Sequence, residues 1–284
     1  MNLDVVITEF LLDKKVYCAP KTIKNYTEHL QRFQLYAPRS IEELTPSVIR
    51  GYIIFLKDNN IRSVSINTYI RSVKVFCRWL LEFEYISEDL FFRIKLPRPD
   101  PAIKIPLSTN EVQIIDNVLN ERDKIIFHLM LDAGLRVQEV CSLKKSDIDL
   151  KNRLIFVNDS KYNKSRILPM ADCLVNLISN FKLKCSTEYL LCSRTGYQMT
   201  DNLIKQLFQK MKTRSGVDRL HAHLLRHTFA TSYIVGGGNL EKLRIMMGHA
   251  DYNVTKTYLH LAAQFEIVKY PIYKLDDVFF ERGY

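Results

Sequence analysis

Six polar side chains between positions 136 and 258 have the chemistry needed to break a phosphodiester bond without a metal ion. A phosphate in its pentavalent transition state gains negative charge, which two guanidiniums can neutralise through bidentate hydrogen bonds. A tyrosine can attack and form a covalent intermediate, and because its pKa is about 10 it needs a base such as histidine. A lysine can supply the proton that the leaving alkoxide requires. The residues of these types are Arg136, Lys161, His223, Arg226, His249 and Tyr258.

Taken singly, most of these residues also have an ordinary structural explanation. Arg136 could form a surface ion pair with Glu139, and Lys161 in a polar turn could simply be solvated. His249 follows a glycine, as residues at helix C-caps often do, and Tyr258 could be a packing residue with a hydrogen-bonded hydroxyl. It is the set as a whole that favours catalysis.

Other catalytic classes are not indicated by the sequence. His223 and His227 have the i, i+4 spacing of two zinc ligands, but Leu224 stands where a metalloprotease helix has glutamate. The sequence has no C-x-x-C pair, no G-x-S-x-G elbow, no Walker lysine loop and no G-x-G-x-x-G turn. We therefore predict no metal, no nucleotide and no other cofactor.

Five short motifs carry the six residues in a fixed order. They are Ala133–Glu139 (A-G-L-R-V-Q-E), Lys161–Pro169 (K-Y-N-K-S-R-I-L-P), His223–Thr231 (H-L-L-R-H-T-F-A-T), Met247–His249 (M-G-H) and Tyr258, nine residues after His249. In order and spacing they resemble the motifs of the tyrosine recombinase (phage integrase) family, most closely its Xer-type subgroup. Tyr162 stands where that family commonly has glycine, and Met246-Met247 replace a leucine pair. Residues 1–95 resemble the family's helical core-binding domain only in character.

The resemblance implies a site-specific DNA recombinase and a role for each catalytic residue. Tyr258 would attack the scissile phosphate, giving a 3′-phosphotyrosyl link and a free 5′-hydroxyl. Arg136 and Arg226 would hold the non-bridging oxygens. His223 would act as the base or as a phosphate donor, and His249 would contact the phosphate.

The resemblance also assigns the lysine hairpin and the carboxylate near the first arginine. Lys161 is the expected general acid, with Lys164 as the alternative that the altered hairpin leaves open. Glu139 is expected to orient Arg136, and the surface ion pair is the alternative that the sequence leaves open for it.

The resemblance further implies double-stranded DNA as the partner and a homo-tetramer on two DNA sites, with an accessory factor left open. The short two-domain length favours an Xer-type role in resolving chromosome or plasmid dimers, in a bacterial or archaeal cytoplasm at the nucleoid. The alternatives are an integrase of a phage or mobile element, a tyrosine-linked type IB topoisomerase and a non-catalytic DNA-binding protein.

The elements that position these motifs are predicted to form two domains. Four prolines within ten residues make 97–106 a linker between a helical domain, 1–96, and a catalytic domain, 107–284, which ends in an interaction tail. The fold class is mostly α with a small antiparallel sheet. The resemblance implies that the two domains form a C-shaped clamp around DNA.

Apolar spacing and capping residues predict most of the helices. Pro20 opens one, Thr45-Pro46 caps a second, and Ser63 or Ser65 caps a longer third. Ser108–Glu111 is a capping box that begins the catalytic domain. Short strands at 153–157 and 166–169 predict a hairpin, and further helices are predicted at 122–133, 172–182, 201–215, 224–235, 240–247 and beyond 260.

The charge of the chain agrees with a polyanionic partner. Its 284 residues include 41 Lys and Arg against 31 Asp and Glu, a net charge of +10 with a pI near 9.2. Candidate DNA-binding residues are Lys21, Lys24, Arg62, Arg71, Lys74, Arg78 and Lys164. The sequence contains no apolar run long enough for a membrane helix and no signal peptide, so we expect six free cysteines in a reducing compartment.

Overall fold

A computed structural model describes residues 1–98, 105–159, 164–181, 187–249 and 251–269, and describes their side chains except at 159, 164, 260–262 and 264–269. Lys161, the middle of the predicted linker and the tail from 270 onward lie outside the described residues. The chain divides into two compact units, Met1–Ala102 and Ile103–Tyr284. No described helix is both long enough and apolar enough to cross a membrane.

The first unit is built from helices α1 (Leu3–Lys15), α2 (Pro20–Gln34), α3 (Pro46–Asp58) and α4 (Ser63–Glu82). Pro20 and Pro46 stand in the first turns of α2 and α3, and the Thr45 hydroxyl accepts a hydrogen bond from Val48 N. Phe10 of α1 packs edge-on against Phe76 and Trp79 of α4, so aromatic contacts join the first helix to the last.

Two features of this unit differ from the sequence-based expectation. Helix α1 was not predicted: its buried residues Leu3, Val6, Ile7 and Phe10 do have helical spacing, but the exposed apolar residues Val5 and Leu12 obscure that pattern. Neither Ser63 nor Ser65 caps α4. The N-cap residue is Arg62, which makes no side-chain cap hydrogen bond, although its extended backbone carbonyl accepts from Ile66 N at 3.0 Å.

The second unit contains more elements, which we number in chain order. They are α5 (Thr109–Asn117), α6 (Glu121–Leu131), α7 (Val137–Ser142), β1 (Ile148–Asp149), β2 (Leu154–Asp159), β3 (Lys164–Pro169), α8 (Asp172–Asn180), α9 (Asp201–Ser215), α10 (Ala222–Val235), α11 (Leu240–Met247) and α12 (Tyr252–Lys269). The predicted capping box is present at Ser108 and Glu111 and begins α5.

The antiparallel sheet of this unit has the order β1-β2-β3, with Val157 paired to Arg166 across the predicted hairpin. Ile155 and Leu168 are fully buried, whereas Phe156 and Ile167 are exposed, so one face of the hairpin packs on the core. On β3 this alternation also places Arg166 on the buried side. The short strand β1 was not predicted.

Helix α10 lies in the core of the second unit and carries part of the site. Its Leu224 and Leu225 are buried, and its Thr228 hydroxyl accepts a hydrogen bond from Leu107 N at 3.0 Å. The fold therefore fixes this helix before any ligand binds.

Helix α12 begins at Tyr252, and not beyond residue 260 as the sequence predicted. Its first turn has Asn, Val and Thr, which are weak helix formers, so propensity placed the start too late. Cys192 is disulfide-bonded, so the expectation of six free cysteines is wrong, whereas Cys18, Cys77, Cys141 and Cys173 are free.

Candidate active site

A buried carboxylate, Glu139, is shared by two arginines. Arg136 is the N-cap residue of α7, and its backbone N and its Nη1 donate to Glu139 at 2.7 and 2.9 Å. Arg166 of β3 donates from Nη1 and Nη2 to the two oxygens of the same carboxylate, both at 2.8 Å. Burial alone would raise the pKa of Glu139, but the hydrogen bonds and charge of Arg166, together with Arg136, hold it at about 2.

The surface ion pair considered for Arg136 and Glu139 is therefore excluded, because Glu139 is only 7% exposed. Its carboxylate fixes the orientation of the Arg136 guanidinium, in agreement with the expectation that Glu139 orients Arg136. Arg166 lies in the Lys161–Pro169 motif, but the sequence did not indicate a function for it. Its partner lies 27 residues away in the chain, so local spacing could not have revealed the pair.

Arg226 of α10 is the most buried cation of the site, at 3% exposure. It donates to the backbone carbonyls of Gly134 and Met247, and its Nη2 lies 3.3 Å from Nε2 of His249. Burial, followed by the charge of Arg136, lowers the pKa of Arg226 to about 9. The group therefore stays charged at neutral pH, and its two carbonyl acceptors fix its position.

Gly248 allows two guanidiniums to approach the same turn. It ends α11 with φ +59°, a left-handed conformation that favours glycine, and its carbonyl accepts from Arg136 Nη2 at 2.9 Å. A Cβ at this position would lie 3.2 Å from Nη1 of Arg166 and 3.3 Å from Nη1 of Arg136. The glycine before His249 is thus explained by contacts as well as by backbone conformation.

Tyr258 lies on α12 beside two histidine rings. Its side chain is 6% exposed and packs in a small cluster with Phe229, Ala230, Ile234, Leu243 and Met247. The ring centroids of His227 and His249 lie 5.1 and 6.4 Å from that of Tyr258. Burial raises the pKa of Tyr258 and the charge of Arg226 opposes this, so a base is needed to produce a tyrosinate at neutral pH.

His249 is neutral at pH 7, since burial and the nearby charges of Arg226 and Arg136 lower its pKa to about 4. An arginine can only donate, so Nε2 of His249 accepts from Arg226. The proton then resides on Nδ1 and is donated to the Thr255 hydroxyl at 2.9 Å. In this state His249 offers a lone pair at Nε2 instead of a positive charge.

The structure brings five of the six sequence-predicted residues into one neighbourhood: Arg136, Arg226, His249 and Tyr258 through the contacts above, and His223 through its electrostatic effect on His249, whose pKa it helps to lower. His223 lies in the first turn of α10, one turn before His227, and is exposed. His227 contacts Tyr258 but received no catalytic role from the sequence. Lys161 lies outside the described residues, and Lys164 is described only as the first residue of β3.

The neighbourhood is electrostatically unbalanced. Among the described residues that interact there, the guanidiniums of Arg136, Arg166 and Arg226 share the single carboxylate of Glu139, an excess of two positive charges. Such an excess would be neutralised by a phosphodiester in its pentavalent transition state. With a tyrosine beside it, the arrangement suits attack on a phosphate.

Most candidate DNA-binding residues of the first unit are exposed on α2 and α4. Arg71 and Arg78 are both exposed on α4, and Lys74 is half-buried with its Nζ 5.7 Å from the ring centroid of Phe91. On α2, Lys24 lies 3.8 Å from Glu28 and Lys21 is exposed. Arg62, at the N-cap of α4, is also exposed and makes no side-chain cap hydrogen bond.

Two family models match the chain. The model described as the phage integrase family matches residues 107–264, and that described as a phage integrase N-terminal SAM-like domain matches residues 7–83. Among curated relatives, tyrosine recombinase XerC of Bacillus pumilus is 28% identical and covers 89% of this chain and 90% of its own length. Tyrosine recombinase XerC of Thermodesulfovibrio yellowstonii is 26% identical, with coverages of 92% and 93%.

Solved structures share the fold at low sequence identity. The Tn1549 transposon integrase in complex with a circular intermediate DNA has a TM-score of 0.77 at 19% identity and covers 91% of this chain and 95% of its own. A lambda integrase dimer bound to a core site has a TM-score of 0.78 at 16% identity, with coverages of 91% and 95%. XerA recombinase has a TM-score of 0.55 at 24% identity, with coverages of 95% and 99%.

Proposed function

The chain belongs to the phage integrase family, and we infer that it is a site-specific tyrosine recombinase of Xer-like type, an enzyme that breaks and rejoins double-stranded DNA. The observation that carries this inference is the group of three guanidiniums around one carboxylate, with a buried tyrosine packed beside it. A topoisomerase would share this chemistry, but the relatives that match over most of this chain's length are named recombinases.

In the proposed reaction the hydroxyl of Tyr258 attacks the scissile phosphorus. The P–O bond to the 5′ oxygen breaks, leaving a 3′-phosphotyrosyl link and a free 5′-hydroxyl. A 5′-hydroxyl from a partner duplex then attacks that link and releases the tyrosine, so the number of phosphodiester bonds is conserved. Arg136 and Arg226 hold the non-bridging oxygens, and Glu139, itself bound by Arg166, holds Arg136 in place.

The base that accepts the Tyr258 proton is a histidine in this proposal. His223 is the candidate that the family motif indicates. Nε2 of His249 carries no hydrogen, so His249 can share in proton transfer and, once protonated there, can donate to the phosphate. The raised pKa of Tyr258 supports the need for such a group.

Lys161 is proposed as the acid that protonates the leaving 5′ oxygen. A bridging 5′ sulfur leaves as a thiolate and does not need that proton. Lys161→Ala should therefore cleave a normal site about a hundred- to ten-thousand-fold more slowly than wild type does. It should cleave the sulfur-substituted site nearly as fast as wild type. Arg226→Ala should show no such rescue. Rescue of Lys164→Ala in place of Lys161→Ala would assign the acid to Lys164.

The wider proposal is a homo-tetramer acting on two DNA sites, with both units of the chain contacting DNA. The curated relatives reported above are both XerC recombinases, which supports an Xer-type role in resolving chromosome or plasmid dimers at the bacterial or archaeal nucleoid over a mobile-element role. Mapping the DNA bound in cells tests this role, because an Xer-type protein should occupy one chromosomal site.

The central experiment uses a nicked suicide substrate, on which cleavage traps the covalent protein–DNA adduct. Tyr258→Phe should bind DNA as wild type does and form no adduct. Tyr252→Phe is the matched control, because Tyr252 begins the same helix and is exposed. Adduct at wild-type yield from Tyr258→Phe would show that another residue attacks.

A further inference from the structure

A second polar cluster lies in the catalytic unit and shares no residue with the tyrosine site. His128 on α6 and Asp132 at the end of the same helix are four residues apart, and Nδ1 of His128 lies 2.7 Å from Oδ2 of Asp132. Cys173, the second residue of α8, donates its thiol hydrogen to that same oxygen at 3.3 Å. A nitrogen, an oxygen and a sulfur donor from two helices therefore converge on one point.

We propose that His128, Asp132 and Cys173 bind a divalent transition-metal ion of the zinc class. Their three donor atoms all lie within 4.8 Å of one another. Ligand bonds of about 2.1 Å in a tetrahedral zinc site place donor atoms about 3.4 Å apart, so the separations seen here need only small side-chain adjustments. The mixture of imidazole, thiolate and carboxylate favours zinc over the oxygen-preferring magnesium and calcium ions.

The surroundings of His128 match those of a metal-bound histidine. Its other ring nitrogen, Nε2, lies 3.2 Å from Oδ1 of Asp116, and Lys124 donates to the second oxygen of Asp116 at 2.7 Å. A carboxylate on the far side of a liganding imidazole fixes the ring and its tautomer, which leaves Nδ1 to bind the metal. Asp116 thus positions a ligand without binding the ion.

The cluster has space for an ion to enter and for a fourth ligand. A cavity of about 420 Å³ is lined by Asp116, His128 and Cys173 together with Asn176 and Asn180. On binding, the Cys173 S–H bond breaks and Nδ1 of His128 gives up the hydrogen that it directs at Asp132, so that S–metal and N–metal bonds form and the two protons pass to water. Water in the cavity can complete a four-coordinate site.

An ion-pair network without metal is the competing explanation. His128 between Asp116 and Asp132 would satisfy all three groups, and Lys124 would complete the network. That network does not require the sulfur of Cys173, whereas the metal site does. The thiol therefore separates the two explanations.

The test titrates the full-length, chelator-treated protein with cobalt(II) chloride and records the near-ultraviolet thiolate-to-cobalt charge-transfer band. The wild type should bind one equivalent with this band, and zinc(II) chloride should displace the cobalt. Cys173→Ser should lose the band, while Cys18→Ser, a change of a free cysteine in the first unit, should keep it. Asp116→Asn should keep the band and lower affinity about ten- to a hundredfold.

Two outcomes would overturn the site. One is the absence of a thiolate band in a wild-type protein whose circular dichroism shows that it is folded, and the other is an undiminished band in Cys173→Ser. Tyr258→Phe should bind cobalt as wild type does. The metal titration therefore tests the metal site independently of the recombinase proposal.

Discussion

The cations of the active site and those of the first unit are held in opposite ways. Arg226 is 3% exposed and donates to two backbone carbonyls, whereas the Lys24 side chain is 75% exposed and meets Glu28 only at 3.8 Å. Holding a buried charge requires neighbours built around it, whereas an exposed charge needs none. Removing a buried cation or its partner should therefore impair folding and chemistry, whereas removing exposed cations should weaken DNA binding in small steps.

The strongest test of this difference removes the shared carboxylate. Glu139→Ala should lower the free energy of unfolding by about 3–5 kcal/mol, because Arg166 would remain buried without its partner. Urea denaturation measures the loss. Glu241→Gln on α11 is the control, since it also meets an arginine three residues on, but at the surface, and it should unfold as wild type does. An equal loss of unfolding free energy in the two variants would contradict the difference between buried and exposed charges.

Arg226→Ala should slow cleavage at saturating DNA about 10²–10³-fold, because one fixed donor to the transition-state oxygens is removed. Arg226→Lys should not restore the rate, since one ammonium cannot reach the carbonyls of Gly134 and Met247 and a phosphate together. Single-turnover adduct formation provides the measurement. Arg78→Ala, which removes an exposed cation of the first unit, should cleave as fast as wild type in this assay. If it slowed cleavage as much as Arg226→Ala does, the buried and exposed cations would not differ in function.

Acid should destabilise the protein over two successive pH ranges that meet near pH 4. The pKa of His249 is lowered from 6.5 to about 4, so the unfolded chain takes up a proton first and stability falls as pH drops through that range. The pKa of Glu139 is lowered from 4.5 to about 2, so its contribution to stability disappears between those values. Denaturant melts across pH check both: His249→Gln should reduce the loss of stability in the upper range, and Glu139→Gln should reduce it in the lower range, where Glu111 also contributes.

The smallest effects are expected from the exposed cations. Lys21→Ala, Arg71→Ala and Arg78→Ala should each reduce the slope of log K against log salt by about 0.9 for each phosphate that the wild-type side chain neutralises. Cleavage at saturating DNA should not change. Binding titrations over a salt series give the slope, and an unaltered slope for all three variants would remove α2 and α4 from the DNA-binding surface.

The composition of the site was largely readable from the sequence, and its architecture was not. Arg136, Arg226, His249 and Tyr258 were expected together because their motifs, each a short local pattern, resemble in order those of the tyrosine recombinase family. The pairing of Arg166 with Glu139 and the packing of His227 on Tyr258 arise only when β3, α7, α10 and α12 meet. Such tertiary interactions leave no signal in the periodicity of one segment.

In the fold, too, features set by neighbouring residues were predictable and features set by packing were not. The capping box of α5, the proline starts of α2 and α3 and the hairpin pairing were all predicted, since each depends on a few neighbouring residues. The early start of α12 and the uncapped start of α4 were missed, because packing overrides weak local preferences there. Helix α7 is only six residues long, too short for an apolar repeat to appear.

The unbalanced charge around Glu139 has a practical consequence for anyone who handles this protein. Three guanidiniums beside one carboxylate form a receptor for any small tetrahedral oxyanion, whether or not it belongs to DNA. Phosphate- or sulfate-containing buffers should therefore act as competitive inhibitors and raise the melting temperature at the same time. Assays in chloride with an amine or sulfonate buffer should report higher apparent activity from a less heat-stable sample.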